Sequence, residues 1–544
     1  MSRSTLALGV QPGALALVLL VLAACGSTAP NARKASAAAH APAQLVIGVV
    51  IDQLGSSTLE RYLPYLAHDG LIKRAADHGT YVERVRFEYA TTVTAVGHAA
   101  IYTGQPPRHS GITSNRVWNP TLGSWLNIVD DRQHRVFGTT SEFASPAALR
   151  AQTVGDRLKA ETHNRARVVS VSIKPWPAVM SGGTKSDMVA WYSETKPGRM
   201  VTSTYYAEQF PDWMARWNHQ HPVDRYLSVW SAANPRLLQK VLGDDSRTGE
   251  AHVHGWDAAM PHDPIASPNP HAAFTLTPPS TAYLLDFART ARLHYKMGED
   301  DVPDLLMISI SASDKIGHVF GPDSWEYLDH LLRLDQLLGQ FVSDLEQQSR
   351  VAVLITSDHG VGPLPEQSSS KTAARVSPVE LTQRLRDAAA QRMGPGIWIA
   401  PVEQPFIAFG SPVKTVAQRQ ALVALATSVL GQDKRIAAVY DLQALKASAE
   451  PKNAQEALVW RSTPKMITAD LFIVPAQGVI LCADSGTTHG SPWPYDRDVP
   501  ALIYGAGISK KRNTNIVSQR RVAATFADLL GIPAPKSTVD SLLQ

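Results

Sequence analysis

The chain has 544 residues, 44% of them hydrophobic and 18% charged. That balance excludes a disordered protein, and the length allows a large core with insertions or two to three domains. A formal net charge of +4 with no long Lys/Arg run gives no indication of a nucleic-acid polymer as partner, although a local positive site for a small anion stays open.

The first predicted element is a leader. Arg3 supplies a positive start, Gly13 to Val21 an apolar stretch, and Leu22-Ala23-Ala24-Cys25 a small-residue cleavage site ending in cysteine. This resembles the lipobox of a bacterial lipoprotein, which implies that Cys25 becomes the lipidated first residue of the mature chain. An ordinary secretory signal and an uncleaved anchor are the alternatives. Residues 1–25 are thus expected to be a signal peptide, and residues 26–44, rich in Ala, Pro and Ser, a flexible tether. The expected location is periplasmic, on the outer membrane through the lipid. With Cys25 modified, only Cys482 remains, so the mature fold has no intrachain disulfide.

Strand-like apolar runs follow at Leu45–Ile51, Arg167–Ile173, Leu305–Ile310, Val351–Thr356 and Val499–Tyr504. Helical spacing covers Leu59–His78 and Ser324–Gln348, and a last helix runs from Arg520 to Leu530, closed by Gly531 and Pro533. Alternating strands and helices predict an α/β protein, a three-layer α/β/α sandwich around a largely parallel sheet. Residues 184–300 and 361–480 break the rhythm and read as insertions over the strand ends. The catalytic core is then expected in three pieces, 45–183, 301–360 and 481–544.

Potential metal ligands recur where strands run out. Asp52 closes the first run, Asp358-His359-Gly360 closes Val351–Ser357, and Asp314 with His318 follows Leu305–Ile310; His489 lies further on. In an open α/β sheet, side chains at strand ends converge in the crevice beyond them. Six carboxylate and imidazole groups suit two divalent ions, and zinc favours that mixture of nitrogen and oxygen. The four-residue spacing of Asp314 and His318 puts both on one face of a helical turn.

The segment Thr91-Thr-Val-Thr-Ala-Val-Gly-His-Ala-Ala-Ile-Tyr-Thr-Gly104 follows a predicted strand and opens a predicted helix. Thr94 is expected at the helix start, where exposed N–H groups and the helix dipole favour a phosphate. Its hydroxyl becomes a nucleophile only if a metal lowers its pKa. The plainer reading is an ordinary threonine cap.

Asp52, Thr94-Ala-Val-Gly-His98, Asn115, Asp314-Lys-Ile-Gly-His318, Ser357-Asp-His-Gly360 and Thr488-His-Gly490 occur in this order, with His109-Ser-Gly-Ile112 and Ser203-Thr-Tyr-Tyr206 between them. Together they resemble the alkaline phosphatase superfamily, in the PafA-like branch of periplasmic phosphatases with a threonine nucleophile. Nucleotide pyrophosphatase/phosphodiesterases share much of the pattern. The resemblance implies two zinc ions per chain: Asp314, His318 and His489 would hold one, and Asp52, Asp358, His359 and the Thr94 oxygen the other. It further implies a phospho-threonine intermediate on Thr94, an Asn115 amide on a phosphate oxygen, and small phosphorylated molecules as substrates. A monomer is expected. His98, His109 and Trp191 are taken as structural.

Lys174 ends a predicted strand in Lys174-Pro175-Trp176, where the resembled phosphatases have Lys-Asp-Arg. Lysine is kept, but tryptophan replaces the arginine and cannot grip a phosphate with two prongs. Trp176 would then stack on an aromatic leaving group or nucleobase, shield the site, or pack in the core. The expected activity is a zinc-dependent phosphate monoesterase, with a phosphodiesterase or nucleotide pyrophosphatase as second reading and a non-catalytic binding lipoprotein as third. Sulfatases are disfavoured, because their Cys-x-Pro-x-Arg signature is absent.

Overall fold

The structure is a computed structural model and describes residues 43–194, 198–535 and 539–543. The predicted leader, with Cys25, lies outside the described residues. A nine-stranded sheet dominates, built from β1 (Leu45–Ile51), β2 (Thr80–Arg86), β3 (Val168–Ser172), β4 (Met188–Ser193), β5 (Arg199–Val201), β6 (Asp304–Ile310), β7 (Val351–Thr356), β8 (Asp498–Gly505) and β9 (Lys511–Ser518). Their order across the sheet is β9-β2-β8-β7-β1-β6-β3-β4-β5. The central run β7-β1-β6-β3-β4 is parallel. Strand β8 pairs antiparallel with both neighbours, and β5 closes one edge antiparallel to β4.

Strand β1 shows why this sheet needs helices on both sides. Leu45, Ile47, Val49 and Ile51 enter one apolar core, shared with the helices Leu71–His78, Pro278–His294 and Trp325–Glu346. Val46 and Val50 enter the other, under the helices Thr94–Thr103, Pro175–Gly182 and Arg520–Leu529. Residues of a strand alternate between faces, so a strand covered on both must be apolar throughout. That gives the three-layer α/β/α architecture expected.

Two differences have local causes. Leu59–His78 is not one helix: it divides into Ser56–Tyr62, a 3-10 turn Leu63–Tyr65 holding Pro64, and Leu71–His78. Proline cannot donate within a helix, and Gly70 touches the Asp335 carboxylate so closely that a Cβ there would fall 1.8 Å from its Oδ2. The expected core boundary at 183 also moves, because β4 and β5, inside 184–300, are part of the central sheet.

Within the second insertion, strands Phe406–Ile407, Ile436–Asp441 and Leu471–Pro475 form a separate antiparallel sheet. Helices Pro378–Met393 and Val416–Gly431 cover one face with Leu381, Leu385, Leu422 and Leu430. Its other face meets Trp118 and Trp125 of the hairpin Arg116–Asn127. The Gln404 amide donates to the His489 carbonyl, which ties this layer to the strand ends.

Candidate metal centre

Four neighbouring parallel strands end along one edge of the sheet, and each delivers a charged side chain there. Asp358 comes two residues after β7, Asp52 directly after β1, Asp314 in the first turn of the helix Ala312–Phe320 after β6, and Lys174 two residues after β3. The register aligns Ile51 with Ile310, Val50 with Thr356, and Ser172 with Ser309, so these ends are level. Adjacency in the sheet brings together residues more than 300 positions apart.

Two groups of ligand atoms result. In one, His359 Nε2 lies 3.5 Å from Asp52 Oδ1 and 3.5 Å from Asp358 Oδ2. In the other, Asp314 Oδ1 lies 3.2 Å from His318 Nε2 and 3.3 Å from His489 Nε2. The His359 ring stacks on His489 at 3.6 Å between centroids, so it also stands within reach of the Asp314 group. His318 and His489 face each other, Nε2 to Nε2, at 3.2 Å.

The three imidazoles are anchored alike. Nδ1 of His318 is 2.8 Å from the Thr487 carbonyl, Nδ1 of His489 2.8 Å from the Thr92 carbonyl, and Nδ1 of His359 3.1 Å from the Gly360 carbonyl. A carbonyl only accepts, so Nδ1 carries the proton in each ring and Nε2 presents a lone pair inward. Among the described residues, Asp52 Oδ1 and Asp358 Oδ2 are buried with no hydrogen-bond partner. The nearest described nitrogen to Asp358 Oδ2 is His98 Nδ1 at 3.2 Å, already turned to the Thr94 carbonyl. Bare lone pairs and orphaned carboxylate oxygens aimed at one space are costly without a cation, and hydrogen bonds holding the far nitrogen are the usual support of a metal-binding histidine. The donor set fits divalent metal.

Electrostatics agree. Burial, reinforced by Asp314 and Asp358, pushes the Asp52 carboxyl well above its ordinary range. Burial and the Asp314 charge push Asp358 up to about 7. For Asp314, burial is outweighed by His318 and Lys174, and its carboxyl is held well below the usual value. Among the described residues, Lys174 brings a fixed positive charge to these carboxylates: its Nζ is 3.0 Å from Asp52 Oδ2 and also bonds Asp314 Oδ2. Burial opposes that charge, but the two aspartates raise the lysine above its ordinary value.

Thr94 is the first residue of the helix Thr94–Thr103, with Val93 as its cap and no side-chain capping bond. The plain capping role therefore does not apply. Its Oγ1 lies 3.4 Å from His359 Nε2, on the rim of the first group. Two neighbours explain Thr94-Ala-Val-Gly-His98. A Cβ at Gly97 would lie 2.2 Å from the Asp358 carbonyl, so only glycine lets the helix approach that loop. His98, fully buried, has Nδ1 2.9 Å from the Thr94 carbonyl and Nε2 2.9 Å from Ser309 Oγ. It acts as a brace beneath Thr94.

Asn115 accepts from the Ala95 N–H through Oδ1 at 2.8 Å, which places its carboxamide at the same helix start as Thr94. Trp176, second in the helix Pro175–Gly182, packs against the core under Thr94–Thr103, and its buried Nε1 has no hydrogen-bond partner among the described residues. His109 is exposed, and Trp191 is buried in β4. Sequence reasoning passed over Gln53, Ser313 and Gln404. Ser313 Oγ donates to the Asp52 carbonyl at 2.7 Å, and Gln53 reaches both groups. None carries a signature in sequence; their signal is position beside a ligand.

Similarity to known proteins covers nearly the whole chain. The family model described as type I phosphodiesterase / nucleotide pyrophosphatase matches residues 46–495. Alkaline phosphatase PhoV of Synechococcus elongatus is 27% identical over 511 residues, 92% of either chain. A Myroides odoratus protein named calcium-transporting ATPase is 26% identical, over 92% of this chain and 94% of its own. Alkaline phosphatase PafA of Elizabethkingia meningoseptica is 26% identical over 91% and 93%. The crystal structure of wild-type PafA superposes with a TM-score of 0.83 at 25% identity, covering 92% of this chain and 98% of that one. A PafA variant substituted at a threonine, an asparagine, a lysine and an arginine gives the same score. With the family model spanning the metal centre and both insertions, the chain belongs to the type I phosphodiesterase / nucleotide pyrophosphatase family of phosphoric ester hydrolases.

Proposed function

We propose that this protein is a zinc-dependent phosphate monoesterase of the alkaline phosphatase type, carried to the periplasm by its leader and held at the membrane through Cys25. The observation that carries the catalytic reading is the Thr94 hydroxyl at a helix start, 3.4 Å from His359 and beside the Asp52 group. Bound zinc would supply the Lewis acidity that lowers the pKa of that hydroxyl and offsets charge on the departing oxygen. Asp52, Asp358 and His359 would hold one ion, and Asp314, His318 and His489 the other.

The rest of the chemistry falls to the chain. The Ala95 N–H is taken by Asn115, so it is the Thr94 and Val96 N–H groups at the start of Thr94–Thr103 that hold the phosphoryl oxygens. The Asn115 amide nitrogen, with its oxygen already engaged by Ala95, is free to donate to a non-bridging oxygen. Thr94 Oγ1 loses its proton to solvent and attacks phosphorus. The bond from phosphorus to the alcohol oxygen breaks, and the alcohol leaves with a proton from solvent. Water then cleaves the Thr94 ester to release phosphate and restore the hydroxyl. Lys174 keeps one permanent positive charge in the site, which favours a dianionic monoester over a diester.

One observation favours the diesterase as second reading. In the substituted PafA variant, the arginine follows the lysine by two positions; here Lys174 is followed at that spacing by Trp176. Loss of a guanidinium weakens preference for the more highly charged ester. Hydrolysis of nitrophenyl phosphate and bis-nitrophenyl phosphate by the zinc-loaded protein separates the two. The monoesterase reading requires the higher kcat/KM on the monoester; the reverse order overturns it.

A further inference from the structure

A cavity of 580 Å³ opens beside the hairpin Arg116–Asn127 and shares no residue with either metal-binding group. Its volume lies in the range of small-molecule sites. The walls are apolar: Trp118 and Trp125 meet edge to face with centroids 5.5 Å apart, and Phe406 and Ile467 face them from the second insertion. Its charge is one-sided, since Arg108, Arg116, Arg150 and Lys465 line it and no aspartate or glutamate does.

Those four cations are not equally engaged. Arg108 lies 3.7 Å over the Trp460 ring and donates to the Thr463 carbonyl, and Arg116 pairs with Glu403 at 3.0 Å. For Arg150 and Lys465 the described residues supply no side-chain hydrogen bond or ion pair. The Arg150 stem is nonetheless fitted into place. Its backbone N–H bonds the Ser110 carbonyl at 2.8 Å, and its Cγ packs over Gly111, where φ is +83° and a Cβ would come within 2.8 Å. The His109-Ser-Gly-Ile112 turn thus lodges a free guanidinium at the mouth of an indole-walled cavity.

We propose that this cavity binds a small organic anion with a flat apolar body, its ring against Trp118 and Trp125 and its acid group between Arg150 and Lys465. Aromatic walls hold a planar body, and unpaired cations beside low-dielectric walls attract the charge. Both residues are exposed, and neither belongs to an apolar core, so charge reversal there leaves the core packing alone.

Titration of the zinc-loaded full chain with anilinonaphthalene sulfonate, followed by fluorescence, tests this directly. One saturable site per chain is expected, weakened about tenfold or more in both Arg150→Glu and Lys465→Glu, with nitrophenyl phosphate turnover unchanged. The uncharged analogue N-phenylnaphthylamine is expected to bind at least about tenfold more weakly than the sulfonate. Equal binding of the neutral analogue, wild-type affinity in both variants, or no saturable site in the wild type would each overturn the proposal.

Discussion

The side-chain amide of Gln53 donates to Asp314 Oδ1 at 2.9 Å, so the residue following one predicted ligand holds a ligand of the other group. The bonded oxygen is the one that faces His318 and His489. The Gln53 backbone N–H reaches Asp358 Oδ1 at 3.3 Å, which leaves Oδ2 turned toward His359. To make both bonds, Gln53 takes a φ of +73°, a conformation that non-glycine residues rarely adopt, and its amide packs where Gly317 has no Cβ.

Replacing that amide without changing its length isolates the bond. In Gln53→Met, zinc affinity at the Asp314 group is expected to fall about tenfold, the usual scale for losing a hydrogen bond to a metal ligand. Competitive chelator titration measures it; unchanged affinity would show that the contact is incidental.

Thr94 is buried, and among the described residues the hydrogen-bond contact of its hydroxyl is His359. Thr94→Ala is therefore expected to keep the fold and its zinc content while kcat drops on the order of 10³-fold or more, as when a nucleophile is removed. Turnover at the parent rate would remove Thr94 from the mechanism.

Gly97→Ala tests the close approach of helix and loop. A methyl group 2.2 Å from the Asp358 carbonyl must push one backbone away from the other, at a cost on the order of 1–3 kcal/mol. Lower thermal stability together with reduced zinc binding is expected; a change in neither would mean that the two segments are not packed as described.

A pH effect arises away from the metal centre. Asp335 accepts from the Ile72 and Lys73 N–H groups, but its Oδ2 is buried with no partner among the described residues, and burial pushes the carboxyl up to about 7. An unfolded aspartate ionises near 3.9, so the folded form binds the extra proton between those values. Stability contributed by this group is then lost as pH rises from about 4 through 7. Asp335→Asn keeps an acceptor for both N–H groups, and its melting temperature should fall less than that of the parent between pH 5 and pH 8. An identical fall in both proteins would count against the shift.

How much of this was legible in sequence varied with its physical origin. Strands β1 and β7 could be placed to the residue, because helices cover both faces and leave unbroken apolar runs. Strand β9 could not: Lys511–Ser518 is an edge strand, mostly exposed and polar. The ligand candidates showed through strand ends and short spacings. Their support did not, since the carbonyls of Thr92 and Thr487 that fix His489 and His318 are backbone atoms with no residue signature. Gln53 was invisible for a related reason, as glutamine has no preference for positive φ that would mark the turn.

Diffraction from crystals of the zinc-loaded protein at the zinc absorption edge tests the bimetallic centre beside Thr94 most directly. Two anomalous peaks are expected, one among Asp52, Asp358 and His359 within reach of Thr94 Oγ1, and one among Asp314, His318 and His489. A fully loaded crystal with no peak at these side chains, or with zinc bound only elsewhere on the surface, would contradict it.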